Sequence, residues 1–296
     1  MRKTLLFIVL IVLLISSCKA KKINYVDYYN NTLAIDSVLR FHKDTLTVVN
    51  SYKKHFKKFK PHNQERLREF ETYIYLSHKM NKDFGGKRSL FKLIDLITPY
   101  KYRYKDYSFF KKYGIDSLDV LKRIKNREEK YNKVLIDSFK TAYERDQSSR
   151  KEGYTIETKI ADLKNFNLFK WTFAKYGFPS VEKVGSIDKD KWWVVNFYDI
   201  MFLHYSSLNE YDFFKENLIQ YIKSGDCNPY SYAQMVDRYE TEDLKNKSFY
   251  NVRGAFDDMT SSDSLRVNKN RKSIGLPSLN HTKLIPYNRL QILKLE

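Results

Sequence analysis

An all-α protein, an irregular multi-helix bundle with little or no sheet, is what this sequence predicts. Three observations carry that expectation. Apolar residues recur at three- and four-residue spacing along most of the chain. Glycine and proline are scarce, nine and six in 296 residues. No alternating run bounded by Asn-Gly or Asp-Gly marks a hairpin.

The first element is not part of the fold. Arg2 and Lys3 form a positive start, Leu5 to Ile15 is an apolar run, and Ser16, Ser17 and Cys18 follow. That order is a secretory leader. The run is about half the roughly twenty apolar residues a membrane-spanning helix needs. The segment Leu14-Ile15-Ser16-Ser17-Cys18 resembles the lipobox of bacterial lipoproteins. The resemblance implies a signal peptide over 1–17, acylation (palmitate or a similar chain) of Cys18, cleavage before it, and a lipid-anchored extracytoplasmic protein of the cell envelope. Several acyl chains at about 0.8 kcal/mol per buried methylene give stable attachment, where one chain is marginal. Lys19, in the second mature position, is not an acidic retention signal and resembles the outer-membrane rather than the inner-membrane sorting pattern.

Residues 18–24 read as a tether, 25–115 as an N-terminal helical region, 116–285 as a second helical domain and 286–296 as a tail. Before Gly114 the pattern is irregular, with Pro61, Gly85-Gly86 and Pro99 separating shorter apolar segments. Residues 52–60 interleave Lys53, Lys54, Lys57, Lys58 and Lys60 with Tyr52, His55, Phe56 and Phe59. Such a stretch either lies on an anionic surface with its rings inserted or turns Tyr52, Phe56 and Phe59 to the core. After Gly114, Asp116 or Ser117 can cap one long helix whose stripe runs through Leu118, Leu121, Ile124, Tyr131, Leu135, Phe139 and Ala142. A helix over Ile156–Tyr176 stops at Gly177 and Pro179. Another, Asn209 to Lys223, ends at Gly225, and a further one opens at Asn228-Pro229, a cap followed by proline at the first helical position.

Two cysteines, one committed to lipid, leave Cys227 alone, so no intramolecular disulfide forms. The core must hold by packing, which about 280 mature residues permit. The net charge is +19. An exported chain does not meet nucleic acid, so the expected partners are the membrane itself, anionic lipid, glycan or an envelope protein. Lys19, Lys21 and Lys22 follow Cys18, each contributing about 1 kcal/mol beside an anionic surface. AT-rich coding, which favours Lys, Asn, Ile, Tyr and Phe, would produce the same excess.

No phosphate-cradling glycine loop, Gly-x-Ser-x-Gly or His-Glu-x-x-His occurs, and His42, His55, His62, His78, His204 and His281 are scattered. The sequence indicates neither metal nor cofactor. Polar residues do sit at helical spacing among apolar ones: Asp146, Gln147 and Arg150; Asp162 and Asn165; Asp237 and Arg238. By spacing alone these are surface pairs, each contributing a few tenths of a kcal/mol.

From about Leu135 to Leu279 the chain resembles a family of bacterial helical domains of unassigned activity, matched in order by Asp146-Gln147 with Arg150, Asp162 with Asn165, Gly177-Phe178-Pro179, Val184-Gly185, Asp237-Arg238, and Arg271 with Gly275-Leu276-Pro277. Tyr250-Asn251-Val252-Arg253 stands where the family has Tyr-Gly-Thr-Gln. The family's Gln-His falls either at Asn196-Phe197, without the histidine, or at Leu203-His204, without the glutamine. Two functions are compatible with this: a binding or structural envelope lipoprotein, or a hydrolase-type enzyme using Asp146, Asp237 and His204.

Overall fold

The computed structural model describes residues 23–62, 67–103, 107–151, 153–185, 197–204, 210–254 and 259–285. Cys18, the three lysines after it, Asn196, Asn209 and the tail 286–296 lie outside these. The described chain is all helical, with no strand among the described residues.

The N-terminal half runs through α1 (Tyr25–Ser37), a π turn (Val38–His42), α2 (Thr45–Lys58), α3 (Glu69–Lys79), α4 (Gly86–Ile97), a 3-10 segment (Thr98–Arg103), the short α5 (Ser108–Lys111) and α6 (Ser117–Glu128). The C-terminal half holds α7 (Lys133–Ser149), α8 (Ile156–Tyr176), the one-turn α9 (Val181–Val184), α10 (Phe197–His204), α11 (Tyr211–Ser224), α12 (Pro229–Arg238), a second π turn (Tyr239–Asp243), α13 (Ser261–Ile274) and α14 (Leu279–Leu284).

Helix starts follow capping chemistry. Asn24, Asp44, Asn132, Asn228, Thr260 and Ser278 each accept from a backbone N–H of the first turn, and Asp116 and Thr155 open reciprocal boxes with Asp119 and Thr158. α8 has the bounds its sequence predicts, and Gly177 closes it at positive φ. α11 begins at Tyr211 and runs to Ser224, within two residues of expectation at its described end.

The long helix expected after Asp116 is two. It ends at Glu128, and Asn132 starts α7 by capping Leu135, while its own N–H donates to the Lys183 carbonyl at 2.8 Å. The phase resets at this break. Val120 and Ile124 become the buried face of α6, leaving Leu118 and Leu121 at 74% and 53% exposed, while Leu135, Phe139 and Ala142 face another core.

There are two large apolar clusters. One joins Val48, Tyr52, Phe70, Ile74, Leu90, Ile94, Phe110, Val120 and Ile124 from α2 to α6. The other joins Leu135, Phe139, Phe169, Met201, Phe202, Phe214, Leu218 and Met235 from α7 to α12. α1 feeds both, with Val26, Tyr28 and Tyr29 in the second cluster and Ile35 in the first. The aromatic face of 52–60 is core: Tyr52 and Phe59 are buried, Tyr52 stacks on Phe56 with centroids 5.7 Å apart, and Phe56 packs against both clusters. Cys227 is buried and in no disulfide among the described residues, and its thiol donates to the Asn228 carbonyl at 3.5 Å.

Candidate functional site

The most concentrated chemistry lies where α7 and α8 pack together and the end of α10 meets them. α7 delivers Asp146 from its last turn and Arg150 as its C-cap; α8 delivers Asp162 and Asn165; α10 ends on His204. A cation at Arg150 suits the negative end of α7.

Asp146 and Asp162 are both buried, and Arg150 joins them. Its Nε donates to Asp146 Oδ1 at 3.0 Å, and its Nη2 donates to Asp162 Oδ1 and lies 2.7 Å from His204 Nδ1. His204 Nδ1 is also 3.2 Å from Asp146 Oδ1. The other Asp146 oxygen accepts from Gln147 Nε2 at 2.9 Å. One ring nitrogen therefore faces a donor and an acceptor, and it can accept from Arg150 or donate to Asp146 but not both.

Burial pushes both carboxyls up. At Asp146 the hydrogen bonds and charges of His204 and Arg150 outweigh it and hold the group below the ordinary aspartate range. At Asp162 burial wins over Arg150 and His204, and the group stands above that range. Two neighbouring carboxylates are thus driven apart in acidity.

Asp146, Asp162 and His204 each offer a ligand atom, all within 4.8 Å of one another, a donor set suited to a divalent cation. The Arg150 guanidinium holds that centre, so a cation would have to displace it. The spacing of the scattered histidines gave no sign of this meeting; His204 was a candidate beside Asp146 through the resemblance alone. His204 is 54 residues from Arg150 along the chain.

The other candidate residues divide. Asn165 is buried beside the cluster but bonds α7 instead, accepting from Arg145 Nη1 at 2.6 Å and donating to the Ala142 carbonyl at 3.2 Å. The Arg145 contact was not foreseen; its i+20 separation carries no sequence signal. The surface-pair expectation is thereby corrected for Asp146, Asp162 and Asn165, which are core residues because two helices close over them.

Asp237 does not join the cluster. It is buried, and its carboxylate accepts from the backbone N–H groups of Tyr250 at 2.6 Å and Val252 at 2.8 Å. Arg271, also buried, grips the same segment from its carbonyl side. Its Nη1 donates to Tyr250 O at 2.8 Å and Asn251 O at 3.3 Å, Nε to Pro277 O, and Nη2 to Thr282 Oγ1 at 2.7 Å. Between Arg271 and Pro277 the chain turns at Gly275, whose φ is 83° and where a methyl group would overlap Tyr29. Asp237 and Arg271 together replace the hydrogen-bond ladder that an irregular buried segment lacks. Arg238 faces outward, away from Asp237, and pairs with Glu242 at 2.9 Å.

A concave feature lies elsewhere, between α4 and α6: a groove of about 340 Å³ lined by Phe91, Asp95, Lys122, Arg123, Arg127 and Lys130 among others. Arg123 pairs with Asp95 at 2.6 Å over the Phe91 ring, and Arg127 reaches the Glu182 carbonyl at 3.2 Å. Lys122 and Lys130 are exposed and form no ion pair among the described residues.

Compared with known proteins, the chain matches no family model, no curated protein and no solved structure. No described helix is long and apolar enough to cross a membrane.

Proposed function

We propose that this protein is an envelope lipoprotein held by acyl chains on Cys18, whose folded part is a binding module for an anionic or glycan component of the envelope. The observation that carries the binding half is the groove between α4 and α6. Four cations line it against Asp95 and Asp119, two of those cations have no ion-pair partner among the described residues, and Phe91 supplies an apolar floor. Phosphate or carboxylate groups, of a lipid or an acidic glycan, meet the lysines. The +19 charge and the lysines after Cys18 support the same partner class.

The two halves are tested separately. Cys18→Ser should leave the precursor uncut or release the protein from membranes; a variant that stays anchored at mature size rules the anchor out. For binding, the chain from Lys19 onward, which has no acylated cysteine, should associate with delipidated anionic envelope glycan in a salt-sensitive way, and Lys122→Glu with Lys130→Glu should abolish it. Salt-insensitive or unchanged association rejects the groove.

A second reading is a hydrolase-type enzyme. It is favoured by one observation, that Asp146 and Asp162 flank His204 with acidities driven in opposite directions, as acid–base pairs require. In this version Asp162 takes the part first given to Asp237, which the Tyr250 segment consumes. Hydrolysis of nitrophenyl phosphate or ester probes that is lost in Asp162→Asn would select it over the binding reading.

A further inference from the structure

α8 buries one side of its 21 residues, through Thr158, Ala161, Asp162, Asn165, Phe169, Thr172 and Phe173. Its other side is not the polar face that such a helix ordinarily turns to water. Ile156, Ile160, Leu163 and Trp171 are 72%, 49%, 55% and 39% exposed. At 3.6 residues per turn these four fall in one stripe, with Asn167 and Ala174 between them.

The charges are arranged around that stripe. Lys159 and Lys170 follow one border and Lys164 and Lys175 the other, all exposed. The helix has two acidic residues, Glu157 and Asp162, and Asp162 is buried in the cluster described above. The lysine stems lie along apolar surface: Lys175 Nζ is 5.5 Å from the Trp171 centroid and 5.2 Å from that of Tyr176, and Lys159 Nζ is 5.9 Å from that of Tyr154. Single exposed apolar residues need no explanation, but a stripe about 22 Å long does.

We infer that the exposed face of α8 rests on a bilayer surface rich in anionic lipid, its apolar stripe entering the headgroup boundary and its two lysine rows meeting lipid phosphates. The occupant follows from the arrangement. A planar sheet of negative charge over an apolar interior complements a straight apolar stripe with cations on both borders. The inference takes from the anchored reading only the nearness of a membrane. The acyl chain would bring the surface close, and α8 would fix which side of the fold faces it.

The test uses the chain from Lys19 onward, which lacks the acylated cysteine and keeps every described helix, sedimented with phosphatidylcholine vesicles with and without phosphatidylglycerol. Binding is expected only with phosphatidylglycerol and should fall with added salt. Ile160→Glu with Leu163→Glu, and separately Lys164→Glu with Lys175→Glu, should each weaken it by about tenfold or more. Leu265→Glu, on the equally exposed face of α13, should not. These positions are exposed, so the variants should melt as wild type does. In the full lipidated chain with Trp192→Phe and Trp193→Phe, brominated lipid should quench the fluorescence of Trp171.

Binding that ignores both pairs of α8 substitutions overturns the inference. So does an absence of binding, or Trp171 found shielded from aqueous quencher before vesicles are added, which would mean that another part of the chain covers the stripe. Loss of acylation at Cys18 would sink the anchored reading and leave a positive vesicle result standing. Failure of the anchor-free chain to bind would do the reverse.

Discussion

Asp146 and Asp237 begin as similar residues, each near the end of a helix, each with an arginine close by, each buried, yet they are neutralised by different means. Asp146 is surrounded by side chains, with Arg150, His204 and Gln147 sharing its two oxygens. Asp237 ignores its neighbour Arg238 and spends both oxygens on backbone N–H groups 13 and 15 residues ahead. The first arrangement can change its protonation and its partners, because every partner is a rotatable or titratable group. The second fixes the path of the chain, because a backbone amide can do nothing but donate. A buried carboxylate is therefore informative about function only once its partners are known.

The largest expected effect separates the two regions at once. Asp146→Ala leaves Arg150 and His204 in a buried site with Asp162 as the remaining carboxylate, and loss of one member of such a set costs about 3–5 kcal/mol. Urea unfolding of the mature chain measures it. Asp237→Asn keeps the shape but turns an acceptor into an NH2 group facing a backbone N–H, stranding one donor at about 1–3 kcal/mol. If Asp237→Asn costs more than Asp146→Ala, the clamp and not the charged cluster is the centre of stability in this half of the protein.

How much of this was legible differs by element. α8 could be bounded from sequence because Thr155 and Gly177 act locally, and α12 because Asn228-Pro229 does. The break between α6 and α7 could not. Residues 129–132 contain neither glycine nor proline, and apolar residues on both sides continue at helical spacing across it. The deciding contact is Asn132 to Lys183, made by a segment some fifty residues on. In the cluster, the Asp146–Arg150 pair was legible from its four-residue step. Its burial was not, since Gln147, Ser148 and Ser149 beside it look solvated. Nor does spacing bring His204 to the cluster; in the structure it stands beside Asp146 and Arg150.

Acidity sharpens the contrast within the cluster. The folded-state value of Asp162 is raised above its unfolded one. Its contribution to stability is then fully present below the ordinary aspartate value near 3.9 and is lost as pH rises through the raised value. Asp146 is lowered, so its contribution is present above the ordinary value and is lost as pH falls through the lowered one. Asp162→Asn should therefore cost less than Asp146→Asn at neutral pH. Relative to wild type it should become less favourable as pH falls towards 4. Groups elsewhere cancel in that difference, among them His55, which burial and Lys58 hold down at about 4. Unfolding midpoints of the two variants and wild type across this range check the sign; parallel curves would mean that the two aspartates are equivalent.

The smallest effect is expected at Arg238, and it bears on the comparison because Arg238 is the arginine that sequence places beside Asp237. Its Nε lies 2.9 Å from Glu242, both side chains are partly exposed, and Glu242 also pairs with Arg253 at 3.0 Å. An exposed pair of this kind contributes up to about 1 kcal/mol, and here Arg253 remains to hold the glutamate. Arg238→Ala should thus shift the urea midpoint by less than Asp237→Asn does, and added salt should shrink the shift further. A large, salt-independent loss would show that Arg238 supports Asp237 after all, making the Asp-Arg pair a unit like that of Asp146 and Arg150.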